Sequence, residues 1–143
     1  MSDTLHGSCL SFPIRPDRRG TLATTANRQQ IIEESIRSII ETRQGERVMV
    51  PDYGLPDFIF EVMDAGFAAR VAYFVERQIK RYEPLVDRVK VRAGAVEGDR
   101  FADAVAADAQ RAAIRVEYTE RGSNVPRSLV YPIWRLRSEF AER

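Results

Sequence analysis

Apolar positions recur along the chain with two different periods, and the change of period divides it into helices and strands. From Asn27 to about Glu41, Ile32, Ile36, Ile39 and Ile40 fall within roughly a 100° arc at helical spacing, with Glu33, Glu34, Arg37, Ser38 and Glu41 on the other side. This predicts an amphipathic helix whose isoleucine stripe is core. Asn27 is placed as its N-cap, with Gln30 in capping-box spacing. Glu33 and Arg37 form an i,i+4 pair. A second helix is predicted to open at Asp64 or Gly66. It ends where Pro84 disfavours helical geometry at Glu83. Phe67, Val71, Phe74, Val75, Ile79 and Tyr82 share its apolar face, and Arg70, Tyr73, Glu76, Arg77 and Lys80 its polar one.

After Pro84 the period falls to two. Val89, Val91 and Ala93 alternate with Arg88, Lys90 and Arg92. Ile114, Val116 and Tyr118 alternate with Arg115, Glu117 and Thr119, and Leu129, Tyr131 and Ile133 make a third run. Gly122-Ser123-Asn124 with Pro126 predicts an antiparallel hairpin between the last two runs, with opposite charges pairing weakly across the solvent face. Bottom-up, the fold class is α+β, two packed helices covering one face of a small antiparallel sheet.

The remaining segments carry less pattern. Residues 1–26, with Gly7, Pro13, Pro16 and Gly20, read as an extended arm that Phe12, Ile14 and Leu22 tack onto the core. Asp17 among Arg15, Arg18 and Arg19 argues for a solvated loop there rather than a phosphate site. Pro56 to Glu61 is a short apolar turn or plug. Residues 98–111, rich in Ala and Asp, read as a short exposed helix or flap, and 134–143 as a terminal helix or tail. The main domain is expected over 27–133.

The two helices are joined by Thr42-Arg43-Gln44-Gly45-Glu46-Arg47-Val48-Met49-Val50-Pro51-Asp52-Tyr53-Gly54. Gly45 and Gly54 permit positive φ and Pro51 fixes its own, so the loop has a defined shape, unlike a flexible linker. An isoleucine-rich helix, then Thr-Arg-x-Gly-Glu-Arg-x-Met-x-Pro-Asp-x-Gly, then a helix ending in Glu83-Pro84 resembles the GPW/gp25 family. The resemblance extends over about residues 11–133, and residues 11–15 with Gly20 are similar to the family's ordered N-terminal segment. The chain departs from type in its longer 98–111 connection. It also has Leu85 where relatives carry the arginine of Glu-Pro-Arg; Arg88 is a candidate replacement.

Composition narrows the function classes. The chain has 143 residues, 44% hydrophobic and 30% charged, as expected of one soluble domain. A net charge of +1, with basic and acidic residues interleaved, argues against nucleic acid or an anionic membrane as partner. Neither a membrane-spanning run nor a secretory signal pattern is evident. Cys9 and His6 are each the sole residue of their kind, which removes an internal disulfide and nearly all histidine-dependent catalysis and metal chemistry. A reducing cytoplasm is the default compartment. Phosphate-loop patterns are absent. Glu46, Asp52 and Glu83 would suit a carboxylate-pair glycosidase only if a cleft held two of them at catalytic separation. The expectation is no enzyme and no cofactor.

What the resemblance implies is a structural component of a contractile machine, whether phage tail, type VI secretion system or extracellular injection particle. Its fold would resemble the assembly domain of sheath proteins. Its partners would be larger baseplate wedge subunits and the sheath protein, in multiple copies within a symmetric baseplate, with no nucleic acid and no direct membrane insertion. Localisation would be cytoplasmic or within an assembled tail-like particle. An exposed edge strand, Ser128 to Ile133 or Val86 to Ala93, would accept a sheath arm. Expected contact residues are Glu83, Pro84, Arg43, Glu46, Arg47, Pro51, Asp52, Gly54, Leu129 and Tyr131. Equally, the loop could be purely intramolecular, with Arg47 paired to Asp52 or Glu83. A small regulatory anti-adaptor of the same superfamily is the alternative reading.

Overall fold

The computed structural model of the chain describes residues 8–11, 13–58, 65–97, 100–102 and 111–133. The first helix, α1, spans Arg28–Glu41. Asn27 Oδ1 accepts from Gln30 N at 3.3 Å, so the cap forms. The reciprocal half of the box does not, because Asn27 N donates to Thr25 Oγ1 and the Gln30 amide bridges Thr25 and Glu34. Ile32, Ile36, Ile39 and Ile40 are all fully buried. Each contributes about 1.5–3 kcal/mol by leaving water. Glu34 departs from the expected pattern: it is buried on the side assigned to solvent, accepting from Gln30 Nε2 at 2.8 Å.

Helix α2 spans Ala65–Tyr82 and stops one residue before Glu83, as Pro84 requires. Phe67, Val71, Val75 and Ile79 are buried, with Phe74 and Tyr82 packed at the margin. Gln78 is also buried, at a stripe position where an apolar residue would be expected.

The main sheet has the order β4-β3-β5-β6, antiparallel throughout, with β3 Val86–Glu97, β4 Arg100–Ala102, β5 Ala112–Glu120 and β6 Pro126–Pro132. Its core-side residues, among them Val86, Ile114, Val116, Tyr118 and Tyr131, join the helices in one apolar cluster. A bulge between Val86 and Arg88 shifts the register by one residue, so Val86 and then Val89, Val91 and Ala93 all turn inward. On the outer face Arg92 pairs with Glu117 at 3.7 Å, the weak cross-strand charge pairing expected.

Strand β4 comes from the connection expected to be a helix or flap. It is admitted by Gly94, where a Cβ would lie 2.3 Å from the Ala102 carbonyl and 2.5 Å from the Phe101 ring. Residues 103–110, 134–143 and half of the plug (59–61) lie outside the described residues, although Phe58 is buried against Phe67 and Phe74.

The N-terminal stretch closes on itself. Strands β1 Cys9–Leu10 and β2 Thr24–Thr25 pair antiparallel, and a bridge joins Pro16 to Leu22. The expected tacking onto the core is not made by Ile14 or Leu22, which are 68% and 52% exposed; Phe12 lies outside the described residues.

Candidate protein-interaction site

The loop between the helices is three successive turns on a closed base. Thr42 O accepts from Leu55 N at 2.8 Å and Leu55 O from Gln44 N at 2.8 Å. Turns follow over 43–46, 47–50 and 50–53, each closed by a backbone bond of 3.1–3.2 Å from the fourth residue to the first. Gly45 holds φ +86° at the third position of the first turn, and Pro51 takes the second position of the last, where a fixed φ is favourable. Gly54, at φ +95°, passes so close to α1 that a Cβ would lie 2.1 Å from Thr42 O.

Side chains then fix this frame to the domain. Leu55 is fully buried, and Tyr53 packs edge-on against Tyr82 with ring centroids 5.2 Å apart. The Tyr53 hydroxyl donates to Ser38 Oγ at 3.2 Å, and the Arg47 guanidinium lies 3.7 Å from the Tyr53 ring centroid while donating to the same Ser38 oxygen. Gln78 donates to Asp52 O at 3.0 Å, and Arg81 pairs with the Asp52 carboxylate at 3.3 Å. Glu46 caps Arg43 N at 3.0 Å, and Arg43 pairs with Asp57 at 3.5 Å. Arg47 therefore reaches neither Asp52 nor Glu83: its partners are Ser38 and Tyr53. Pattern reading did not single out Gln78 or Ser38 as anchors. The signal for Gln78 was available, since an amide inside an apolar stripe must find a partner.

Glu83 and Pro84 form the turn from α2 into β3. Val86 N reaches Glu83 O at 3.4 Å, Pro84 occupies the second turn position, and the buried Glu83 carboxylate accepts from Leu85 N at 3.0 Å. Arg88 stands beside Asp87, 3.9 Å away and largely exposed.

The two free strand edges differ. In β3 beyond the bulge, Val96 N donates to Arg111 O, so from Arg88 onward even-numbered amides face β5 and odd-numbered ones face outward. Of the outward groups, those over Ala95–Glu97 are paired with β4, and Val91 N donates to Glu76 Oε2 at 3.1 Å. The bond from Lys80, with that from Val91 and the Lys80 and Lys90 charges, holds the Glu76 carboxyl below its ordinary pKa. In β6, Ile133 N donates to Ala112 O, so odd residues face β5 and even ones face outward. Leu129 and Tyr131 thus turn their backbone to β5 and their side chains to the core, with the Tyr131 hydroxyl on Glu41 at 3.1 Å. The outward positions are Pro126, Ser128, Val130 and Pro132. Among the described residues no strand pairs with them.

Comparison with known proteins resolves what kind of molecule carries this loop and sheet. The family described as baseplate wedge protein gp25 matches residues 26–125. The chain belongs to that family. Its members are structural baseplate proteins of contractile injection systems. The chain is also 37% identical over 62 residues to baseplate wedge protein gp25 of Enterobacteria phage T4, a match covering 42% of this chain and about half, 47%, of that relative. A chain in the baseplate complex from the type VI secretion system shares the fold, with a TM-score of 0.54 at 21% identity over 75% of this chain and 95% of that one. A chain of the anti-feeding prophage baseplate is similar at 25% identity and a TM-score of 0.49, covering 88% of this chain and 85% of that one. No helix among the described residues is long and apolar enough to cross a membrane.

Proposed function

We propose that this gp25-family protein sits in a baseplate wedge beside larger wedge subunits and templates the first sheath ring by accepting a sheath arm as an added strand on β6. The observation that carries the reading is the outer edge of β6, which offers main-chain groups at Ser128 and Val130 between two prolines. Strand addition needs unpaired main-chain groups in the plane of the sheet. Prolines at the outward positions 126 and 132 remove donors there, so an arriving strand can bond to only a short, defined stretch. The β3 edge is the poorer acceptor, because β4 and Glu76 already engage it.

On this reading the protein makes and breaks no covalent bonds. Glu83 and Pro84 lie at a rigid turn from which a neighbouring subunit is contacted, and the residues Arg43 to Gly54 present the loop to the wedge. The test is co-expression with the wedge and sheath subunits of the same machine, followed by size-exclusion chromatography and cryo-electron microscopy. The expected result is a complex with a sheath segment as the strand outside β6. A monomer that enters no such complex overturns the reading and favours a regulatory binding protein of the same superfamily.

A further inference from the structure

Val48 and Met49 are the most exposed large apolar residues in the described structure, each 91% accessible, and they occupy the two corners of the 47–50 turn. Corners of this kind usually carry Gly, Pro, Asn, Asp or Ser, which suit the backbone and are readily hydrated. Here they carry a valine and a methionine, although the turn needs no left-handed backbone from either. Local structure therefore gives no reason for apolar side chains at this point.

The surroundings do. On one side Arg47 is held on the Tyr53 ring and Ser38; on the other, Val50 O accepts from Tyr53 N. Tyr53 and Leu55 tie the loop into the core, so the tip is an apolar knob on a rigid post. Little backbone freedom is left to lose on docking, and methionine adapts to an irregular pocket. The exposed residues that precede the tip, Glu46 and Arg47, carry opposite charges, so no net charge stands beside the apolar pair.

We propose that Val48 and Met49 form a plug that seats in a hydrophobic cleft on a larger wedge subunit of the baseplate. This rests on the assembly role proposed above. The occupant is not a second copy joined through the tip alone, since a stable pair buries about 800 Å² per partner, several times what two such side chains expose. A subunit already tethered by other contacts meets that limit. The motif residues Gly45, Glu46, Arg47, Pro51, Asp52 and Gly54 then act by positioning the tip, and the contact itself is apolar.

The test places a photo-crosslinking residue at position 49 of the full chain within the co-expressed wedge complex. It is paired with the double variant Val48→Asp/Met49→Asp and the conservative Val48→Leu/Met49→Leu. The expected results are a crosslink to a larger wedge subunit, about ten-fold weaker co-purification for the aspartate variant, retention for the leucine variant and an unchanged thermal midpoint for both. A crosslink only to another copy of this chain, no crosslink, or undiminished co-purification of the aspartate variant overturns the plug. If the unsubstituted chain enters no wedge complex, the assembly role falls together with it. If that chain assembles and only the tip variant is silent, the plug alone falls.

Discussion

The interhelical loop and the N-terminal hairpin are built by the same local means and end in different physical situations. Each is closed by short backbone bonds, and each has a carboxylate capping nearby amides: Glu46 on Arg43 in the loop, Asp17 on Arg19 and Thr21 in the hairpin. The loop also buries Leu55 and Tyr53 and takes a bond from the buried Gln78, whereas the hairpin leaves Leu10, Ile14 and Leu22 more than half exposed. Hydrogen bonds give a segment its shape. Burial of its side chains gives it a fixed place on the domain, and a rigid presenting surface needs both.

The largest way to break this contrast is Gly54→Ala. The new methyl would meet Thr42 O at 2.1 Å, with φ already in the region that L side chains avoid, so the base of the loop has to open. The expected loss exceeds about 4 kcal/mol, an exceptional value for one methyl. Chemical denaturation measures it. Gly45→Ala meets nothing within 4 Å and should cost only the strain of a positive φ, about 1–2 kcal/mol. Equal losses at the two sites would mean that the close pass over Thr42 is not what fixes the loop.

Leu55→Ala follows, at about 2–5 kcal/mol for emptying a fully buried site, against less than about 0.5 kcal/mol for Leu22→Ala in the hairpin. If Leu22→Ala matched Leu55→Ala, the hairpin would be anchored after all. Smaller again is Arg81→Ala. The Arg81–Asp52 pair is more than half exposed on both sides, so its removal should cost at most about 1 kcal/mol and less at high salt. The same change at Gln78, which is buried and bonded to Asp52 O, should cost more.

Much of the fold was legible because it follows from periodicity. The isoleucines of α1, the end of α2 before Pro84 and the hairpin of β5 and β6 all depend on residues close in sequence. The burial of Glu34 was not legible, since helical spacing identifies the apolar face of α1 but not what covers the opposite one. Strand β4 was hidden inside an Ala- and Asp-rich connection of low strand propensity; its place depends on the space that Gly94 leaves for Phe101. The motif residues of the loop were recognisable in order and spacing, but their partners Ser38, Gln78 and Arg81 sit on the two helices. The register that turns Leu129 and Tyr131 inward and leaves Ser128 and Val130 facing out appears only once the strands are paired.

The smallest effect tests the hairpin's independence directly. Asp17 accepts from the Thr21 hydroxyl at 2.8 Å and from the amides of Arg19 and Thr21 at 2.7 and 2.9 Å. These bonds, the hydroxyl's first, hold its carboxyl below the ordinary aspartate value. A carboxyl depressed in the folded state stabilises its turn above the ordinary value, and the contribution is lost as pH falls through the depressed one. As pH falls through that depressed value, below the ordinary one of about 4, the Arg19 and Thr21 amides should lose their hydrogen-bonded chemical shifts and exchange protection. The amides of α1 and of the 42–55 base should keep theirs over the same step. Asp17→Asn should remove that step while leaving the global unfolding midpoint in place. If the midpoint instead followed the Asp17 titration, the hairpin would be coupled to the core, and its exposed Ile14 and Leu22 would not measure its attachment.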